Sequence, residues 1–307
     1  MRYRTLAAWC RRRLGGRMRK IPLDAGFSCP NRDGTLSFGG CVFCNQAGSG
    51  TGLLHKGFDP RAQWDRLAAK FVNDPDEPHP WAYLQSFSNT HGPVEKLAAV
   101  LAQVAALPGV RGLCLGTRPD CLDPEKLDLL AAAPLPVRLE LGLQSANDRT
   151  LARINRGHDA ACFARAVTGA AARGLDVCAH VIAGLPGETL EDFLATMDFL
   201  AALPVWGVKF HNLFVARGSL LERSWRAGEY QPMERAAYVA WMARAIPRLR
   251  ADMVVERINA DPAPGELLAP DWASDKSGVI RDIRQALKDL DTWQGRDRDA
   301  PDAMPQW

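Results

Sequence analysis

Apolar runs and amphipathic stretches alternate along this chain. Short apolar or alternating runs at residues 21–24, 82–87, 112–116, 137–143, 175–183 and 208–215 read as strands. Between them lie segments of helical periodicity at 60–72, 93–106, 124–132, 160–173 and 190–203. Several open on start signals. Asp59 before Pro60 and Asp123 before Pro124 set a capping carboxylate ahead of a proline at the first helical position, and Thr189 precedes Glu191 and Asp192. Strand and helix in alternation argue for parallel βαβ units. Six units are too few for a closed eight-stranded barrel, so the expected α/β fold is a partial, open (βα)6 TIM-like barrel over residues 21–218. A C-terminal α/β extension over 219–295 follows, with a long helix at 233–250, a strand at 253–258, a Pro-rich loop from Asp261 and a helix at 274–290. Residues 296–307 are polar and Pro-containing, and disorder is expected there.

With 307 residues, 47% of them hydrophobic and 24% charged, the composition suits a soluble globular protein. No apolar run approaches the roughly 18 residues of a membrane-spanning helix. Arg11, Arg12 and Arg13 lead into no apolar segment, so no export signal and no membrane partner are expected, and the cytoplasm is the expected compartment. There, eight cysteines read as metal ligands and buried thiols more readily than as disulfides. The net charge of +3 is unevenly spread: Arg2, Arg4, Arg11, Arg12, Arg13, Arg17, Arg19 and Lys20 all precede the first acidic residue, Asp24. This basic segment, residues 1–20, is either a solvated face or a contact for nucleic-acid phosphates.

Cys29, Cys41 and Cys44 form a C-x11-C-x2-C pattern, with Phe43 just before the last thiol and Gly34, Gly39 and Gly40 allowing the loop to fold back. Three convergent thiolates bind a soft metal. Structural zinc sites and ordinary electron-transfer clusters use four protein ligands. A [4Fe-4S] cluster held by three cysteines keeps one iron open for a further ligand. His55, eleven residues after Cys44, offers the alternative of a Cys3His zinc site. Cys10, Cys114, Cys121, Cys162 and Cys178 read as buried small hydrophobes. Of these, Cys121 and Cys178 fall near strand ends and are candidate hydrogen-atom donors.

In barrels of this kind the C-terminal strand ends face the active site. Here the second strand ends in Gln85-Ser-Phe-Ser88-Asn89-Thr90, and the third in Gly116-Thr117-Arg118-Pro119-Asp120-Cys121. The fourth reads Arg138-Leu-Glu140-Leu-Gly142-Leu-Gln144-Ser145 and is followed by Asn155-Arg156-Gly157-His158. The fifth reads Cys178-Ala-His180 and runs on to Gly184-Leu-Pro186-Gly187-Glu188. Each admits a plain structural reading. Glu140 would pair with Arg118 or Arg138, and Gly184 to Gly187 would form a strand-to-helix turn.

With these motifs the chain resembles the radical S-adenosylmethionine (SAM) enzymes over most of residues 1–292. The gap between the first two cysteines is longer than is usual in that family. It is similar to the subgroup containing the catalytic subunit of the Elongator complex, which shares Thr-Arg-Pro-Asp, Glu-Leu-Gly-Leu-Gln-Ser and Arg-Gly-His. Within it, Leu-Asp-Ala-Gly-Phe-Ser-Cys-Pro-Asn-Arg-Asp-Gly and the tail Asp291-Thr-Trp-Gln-Gly resemble the bacterial YhcC/YtqA group. The resemblance implies that Cys29, Cys41 and Cys44 bind a [4Fe-4S] cluster whose open iron takes the amino and carboxylate groups of SAM. Beside it, Phe43, Ser88, Asn89, Thr90, Gln144, Arg156 and His180 stand at SAM-binding positions. Gln144 and Arg156 match positions contacting the ribose and the methionine carboxylate, with the spacing of oxygen-independent coproporphyrinogen dehydrogenases. Ser88, Asn89 and Thr90 depart from the family's Gly-Gly-Glu or Gly-Gly-Thr turn, His180 replaces an acidic ribose ligand, and Gly116 replaces a frequent glutamate. A flavodoxin or ferredoxin is the implied electron donor. By the same analogy, tRNA is the implied substrate, approached through the basic segment. A radical enzyme for a small metabolite and a zinc-stabilised RNA-binding protein are the alternatives.

Overall fold

The computed structural model describes residues 1–46, 48, 50, 52–68, 71 and 79–307. In chain order its elements are α1 (Leu6–Leu14), β1 (Met18–Leu23), α2 (Pro60–Ala68), β2 (His79–Leu84), α3 (Val94–Ala105), β3 (Leu113–Thr117), α4 (Pro124–Ala131) and β4 (Val137–Gln144). After these come α5 (Asp148–Arg153), α6 (Ala160–Ala171), β5 (Asp176–Ala183), α7 (Leu190–Ala201), β6 (Gly207–Asn212), β7 (Val215–Ala216) and α8 (Leu220–Arg226). The chain closes with α9 (Arg235–Ala245), β8 (Val254–Arg257), β9 (Leu267–Ala269) and α10 (Lys276–Asp289). The end of the helical segment expected at 60–72 lies largely outside the described residues, at positions 69, 70 and 72. The start signals act as expected. The carboxylates of Asp59 and Asp123 accept from Ala62 and Lys126 N–H, and Thr189 and Asp192 form a reciprocal capping box.

Seven parallel strands form one curled sheet in the order β1-β2-β3-β4-β5-β6-β8, an open TIM-type half-barrel. The strand expected at 253–258 is thus its seventh strand rather than part of a separate extension. The expected helix at 233–250 stops at Ala245, where Pro247 lies in a 3-10 turn spanning Ile246–Arg248. Period-two alternation sorts each strand. Leu139, Leu141 and Leu143 of β4 and Val177, Ala179 and Val181 of β5 join the helices in the apolar core. The alternate residues Glu140, Gly142, Gln144 and His180 line the concave side.

The basic segment is built into this barrel. Thr5 pairs in parallel with Val255, so the chain start lies along the seventh strand, and α1 then crosses to the first. At this base Arg138 is buried over the rings of Trp206 at 3.5 Å and Trp9 at 4.8 Å. Arg2 pairs with Asp291, and Gln294 accepts from Arg4 N–H while its Nε2 donates to the Arg250 and Met253 carbonyls, so the Asp-Thr-Trp-Gln tail is a structural latch. Residues 296–307, expected to be disordered, also lie against the body: Arg298 donates to Asp198, and Asp299 accepts from Ala251 N–H. Among the described residues no helix is long and apolar enough to cross a membrane.

Candidate functional site

The three cysteines meet in the loop after β1, over the C-terminal end of the half-barrel. They line a cavity of about 220 Å³ together with Phe43, Ser88, Gln144, Arg156 and His180. Asn31 clamps the loop by donating through Nδ2 to the carbonyls of Asn155 at 2.6 Å and Arg156 at 3.1 Å. In return Asn155 donates to Gly40 O at 2.8 Å. Gly157, at φ 76°, passes so close that a Cβ would fall 2.7 Å from Asn31 Oδ1. Val42 N–H donates to Ile154 O, and Leu221 N–H to Val42 O, fastening the loop to α8 as well.

The donor set fits an iron-sulfur cluster. Thiolates around one tetrahedral zinc lie about 3.8 Å apart, given zinc–sulfur bonds of about 2.3 Å. Among the described residues only Glu140, Cys178 and His180 place their ligand atoms mutually within 4.8 Å. The three cysteine sulfurs are not all mutually within that distance, which disfavours one shared tetrahedral ion and is compatible with the larger cluster. His55 is exposed on a 3-10 turn and does not line the cavity, so the fourth ligand of the zinc alternative is missing. Burial and the neighbouring Cys41 and Cys29 push the Cys44 thiol up to about 11, so a bound cation is what makes three thiolates compatible here. Glu140, Cys178 and His180 make no cation site, because Lys20 and Lys209 already occupy the Glu140 carboxylate.

Beside the thiols the wall is polar and under-satisfied, as a polar ligand requires. Arg156 reaches from the α5–α6 loop to Gly142 O at 2.6 Å and Cys41 Sγ at 3.6 Å, while its buried Nε has no partner. The buried Ser88 Oγ and Arg118 Nη1 are likewise unpartnered. Gln144 sits at φ 76° where the β4–β5 register shifts, turning its side chain toward Arg156. Asn89 and Thr90 depart from expectation. Asn89 Nδ2 donates to the Leu84, Ser86 and Gly116 carbonyls, and Thr90 Oγ1 bonds Thr117 Oγ1 at 2.6 Å, so both brace strand ends and neither lines the cavity. Gln85, Phe87 and Thr117 line it instead. Cys121 and Cys178 are buried and outside its lining, which removes the geometric basis for a hydrogen-donor role.

Below lies a buried ionic floor that the sequence reading missed. Glu140 accepts from Lys20, from Lys209 at 3.1 Å and from His180 Nε2 at 2.7 Å, rather than from Arg118 or Arg138. Arg118 is held by Asp120, and Arg138 by the tryptophans at the barrel base. Glu256 takes Lys20 at 2.6 Å and Lys209 at 3.4 Å. Two ammonium and two carboxylate groups cancel, and burial together with Lys209 holds His180 neutral, with its pKa lowered to about 4. The available signal was a charge set between apolar neighbours, as with Glu140 between Leu139 and Leu141 and Lys209 between Val208 and Phe210. At the far wall, Arg257 Nη2 donates to His211 Nδ1 at 2.9 Å.

Comparison with known proteins agrees with this geometry. The model of the radical SAM superfamily matches residues 32–200, and that of a radical SAM C-terminal domain matches 205–289. Protein YhcC of Escherichia coli (strain K12) is 39% identical over 275 residues, 88% of this chain and 87% of that one. YtqA of Bacillus subtilis (strain 168) is 35% identical over 96% of this chain and 92% of its own. A tRNA uridine(34) acetyltransferase of Dehalococcoides mccartyi is 32% identical over 48% of this chain and 34% of that protein. The structure of the archaeal Methanocaldococcus infernus Elp3 with an N-terminal deletion shares the fold, with a TM-score of 0.67 at 16% identity, covering 88% of this chain and 63% of that one. A family model spanning more than half the chain, with full-length relatives beside it, makes this protein a member of the radical SAM superfamily, which works with a [4Fe-4S] cluster and SAM.

Proposed function

We propose that this protein is a cytoplasmic radical SAM enzyme whose cluster is held by Cys29, Cys41 and Cys44, and that it acts on RNA, in particular tRNA. The observation carrying the reading is the convergence of three thiols on one cavity whose adjoining arginine, Arg156, has a buried unpartnered Nε. When bound, the cofactors supply reductive cleavage of SAM and hydrogen abstraction by the 5′-deoxyadenosyl radical.

The chain's own residues bind and orient. Arg156, permanently charged and forked, suits the methionine carboxylate; Gln144 suits the ribose, and Ser88 Oγ a further polar contact. Phe43 covers one side of the cavity, and the neutral His180 closes its floor without adding charge. The electron donor is of the flavodoxin or ferredoxin type.

The tRNA substrate is supported by the likeness to the tRNA uridine(34) acetyltransferase of Dehalococcoides mccartyi and by the exposed Arg11, Arg12, Arg13 and Arg17. These side chains belong to the barrel base, away from the cysteines, so they suit the body of an RNA rather than its reacting nucleotide. Lys20 points inward and is withdrawn from that role.

The test is anaerobic reconstitution followed by reduction with dithionite and SAM, together with mass spectrometry of tRNA nucleosides from a deletion strain. Release of 5′-deoxyadenosine and loss of one modified nucleoside are expected. Stoichiometric zinc without reconstitutable iron refutes the chemistry. An intact nucleoside profile with an accumulating metabolite refutes the RNA substrate.

A further inference from the structure

We propose that Arg257, with His211 and Asn212, forms an oxyanion-binding subsite on the substrate side of the cavity, taking a carboxylate or phosphate group. Most of the cations facing the cavity are already engaged. Arg118 is paired with Asp120, and Lys209 with Glu140 and Glu256. Arg32 donates to the Asn45 and Cys44 carbonyls beside the cluster loop. Arg156 is assigned to the SAM carboxylate, the one point at which this inference rests on the function proposed above. Among the described residues Arg257 forms no ion pair: His211 is its hydrogen-bond partner, and its buried Nε has none, whereas Arg32 is at least taken up by two carbonyls.

His211 cannot supply the missing charge. Burial and the adjacent Arg257 hold its pKa well below the usual value, so the ring is neutral and accepts at Nδ1. The neighbouring Glu256 is engaged by Lys20 and Lys209 within the charge-balanced floor. An irregular register between β6 and β8 pairs Lys209 with Arg257, which lets consecutive Glu256 and Arg257 both reach the barrel interior.

A second observation points the same way. Asn212, 2% exposed, accepts from Ala260 N–H at 2.7 Å through Oδ1, which fixes the amide orientation. Its Nδ2 is then a buried donor without a partner. Asn212 and His211 line a chamber of about 150 Å³ that shares Phe43, Gln144 and His180 with its neighbour. An uncompensated cation and an idle amide donor in joined walls are costly unless a ligand supplies acceptors, and a planar guanidinium matches an oxyanion.

The test uses the anaerobically reconstituted full chain, with and without saturating SAM. Inorganic phosphate and acetate are titrated separately against chloride at constant ionic strength, and the thermal unfolding midpoint is followed. A saturable rise with at least one anion is expected. Preference for phosphate indicates a nucleotide-type group, and preference for acetate a carboxylic acid. Arg257→Gln, which retains a donor for His211, should weaken that anion about ten-fold or more, with iron content and SAM affinity unchanged; Arg257→Lys should weaken it less. Asn212→Asp, which keeps the acceptor for Ala260, should weaken it independently. No saturable rise in the unmodified protein, or an identical rise in Arg257→Gln, overturns the subsite. Failure of SAM to bind the unmodified protein counts against the assigned function instead, and the titration without SAM still decides the subsite.

Discussion

Replacing Gly142 by alanine tests the proposed SAM-binding wall without replacing Arg156 or Gln144. Gly142 lies on β4 facing the cavity, with φ outside the left-handed region, so alanine is tolerated by the backbone. Its Cβ would fall 2.4 Å from Arg156 Nη2 and 2.6 Å from Gln144 Nε2. Both atoms are ends of flexible side chains, so the fold survives and the side chains move. Arg156 then loses its 2.6 Å bond to Gly142 O, a charge-assisted contact whose loss costs about 1.5–3 kcal/mol. If Arg156 and Gln144 hold SAM, the same displacement should weaken SAM about ten- to a hundred-fold. Iron content should stay at that of the unmodified protein, because Cys29, Cys41 and Cys44 keep their places in the loop and Cys41 Sγ loses only its long contact with Arg156. Urea unfolding gives the stability term, and equilibrium dialysis of reconstituted protein against labelled SAM gives the affinity. A destabilised variant with undiminished SAM affinity would refute the placement of Arg156 and Gln144 against that ligand.

Alanine at Cys29, Cys41 or Cys44 should abolish reconstitution of the cluster, read as loss of bound iron and of the absorbance it confers. Glu140→Gln leaves Lys20 and Lys209 sharing one carboxylate inside the barrel and should cost about 3–5 kcal/mol in chemical unfolding; a loss below about 1 kcal/mol would mean that water reaches the floor. Glu188 is pushed up to about 8 by burial, against the opposing hydrogen bond from Ser145. The folded chain therefore holds a proton that the unfolded chain releases near the ordinary carboxylate value, and this contribution to stability falls as pH rises toward 8. Glu188→Gln should flatten the decline by up to about 1.4 kcal/mol per pH unit in that window, and parallel stability profiles of the two proteins between pH 5 and about 8 would count against it.

Much of the architecture was legible because it is local. Helix starts at Asp59, Asp123 and Thr189 are written in two to four adjacent residues. The strands show through alternation, and the cluster loop through the spacing of Cys29, Cys41 and Cys44. Ser88 was separable from Asn89 and Thr90 only in three dimensions, because a one-residue change of direction decides whether a side chain meets the cavity or a neighbouring carbonyl. Pro247 was a visible stop inside the long helical stretch, and it outweighed the periodicity that ran past it.

By itself the sequence determined the βα alternation, the three-thiol loop and the identity of the polar residues at strand ends. Tertiary structure decided which strands share a sheet, so that β8 became the seventh staff of the half-barrel and the N-terminal segment closed its base instead of standing free. It also decided which charges meet. Lys20, Glu140, Lys209 and Glu256 come from four strands, and the Lys20–Glu256 pair spans 236 positions. Periodicity and capping depend on neighbours a few residues away, whereas the cost of burying a charge depends on what the fold brings opposite it.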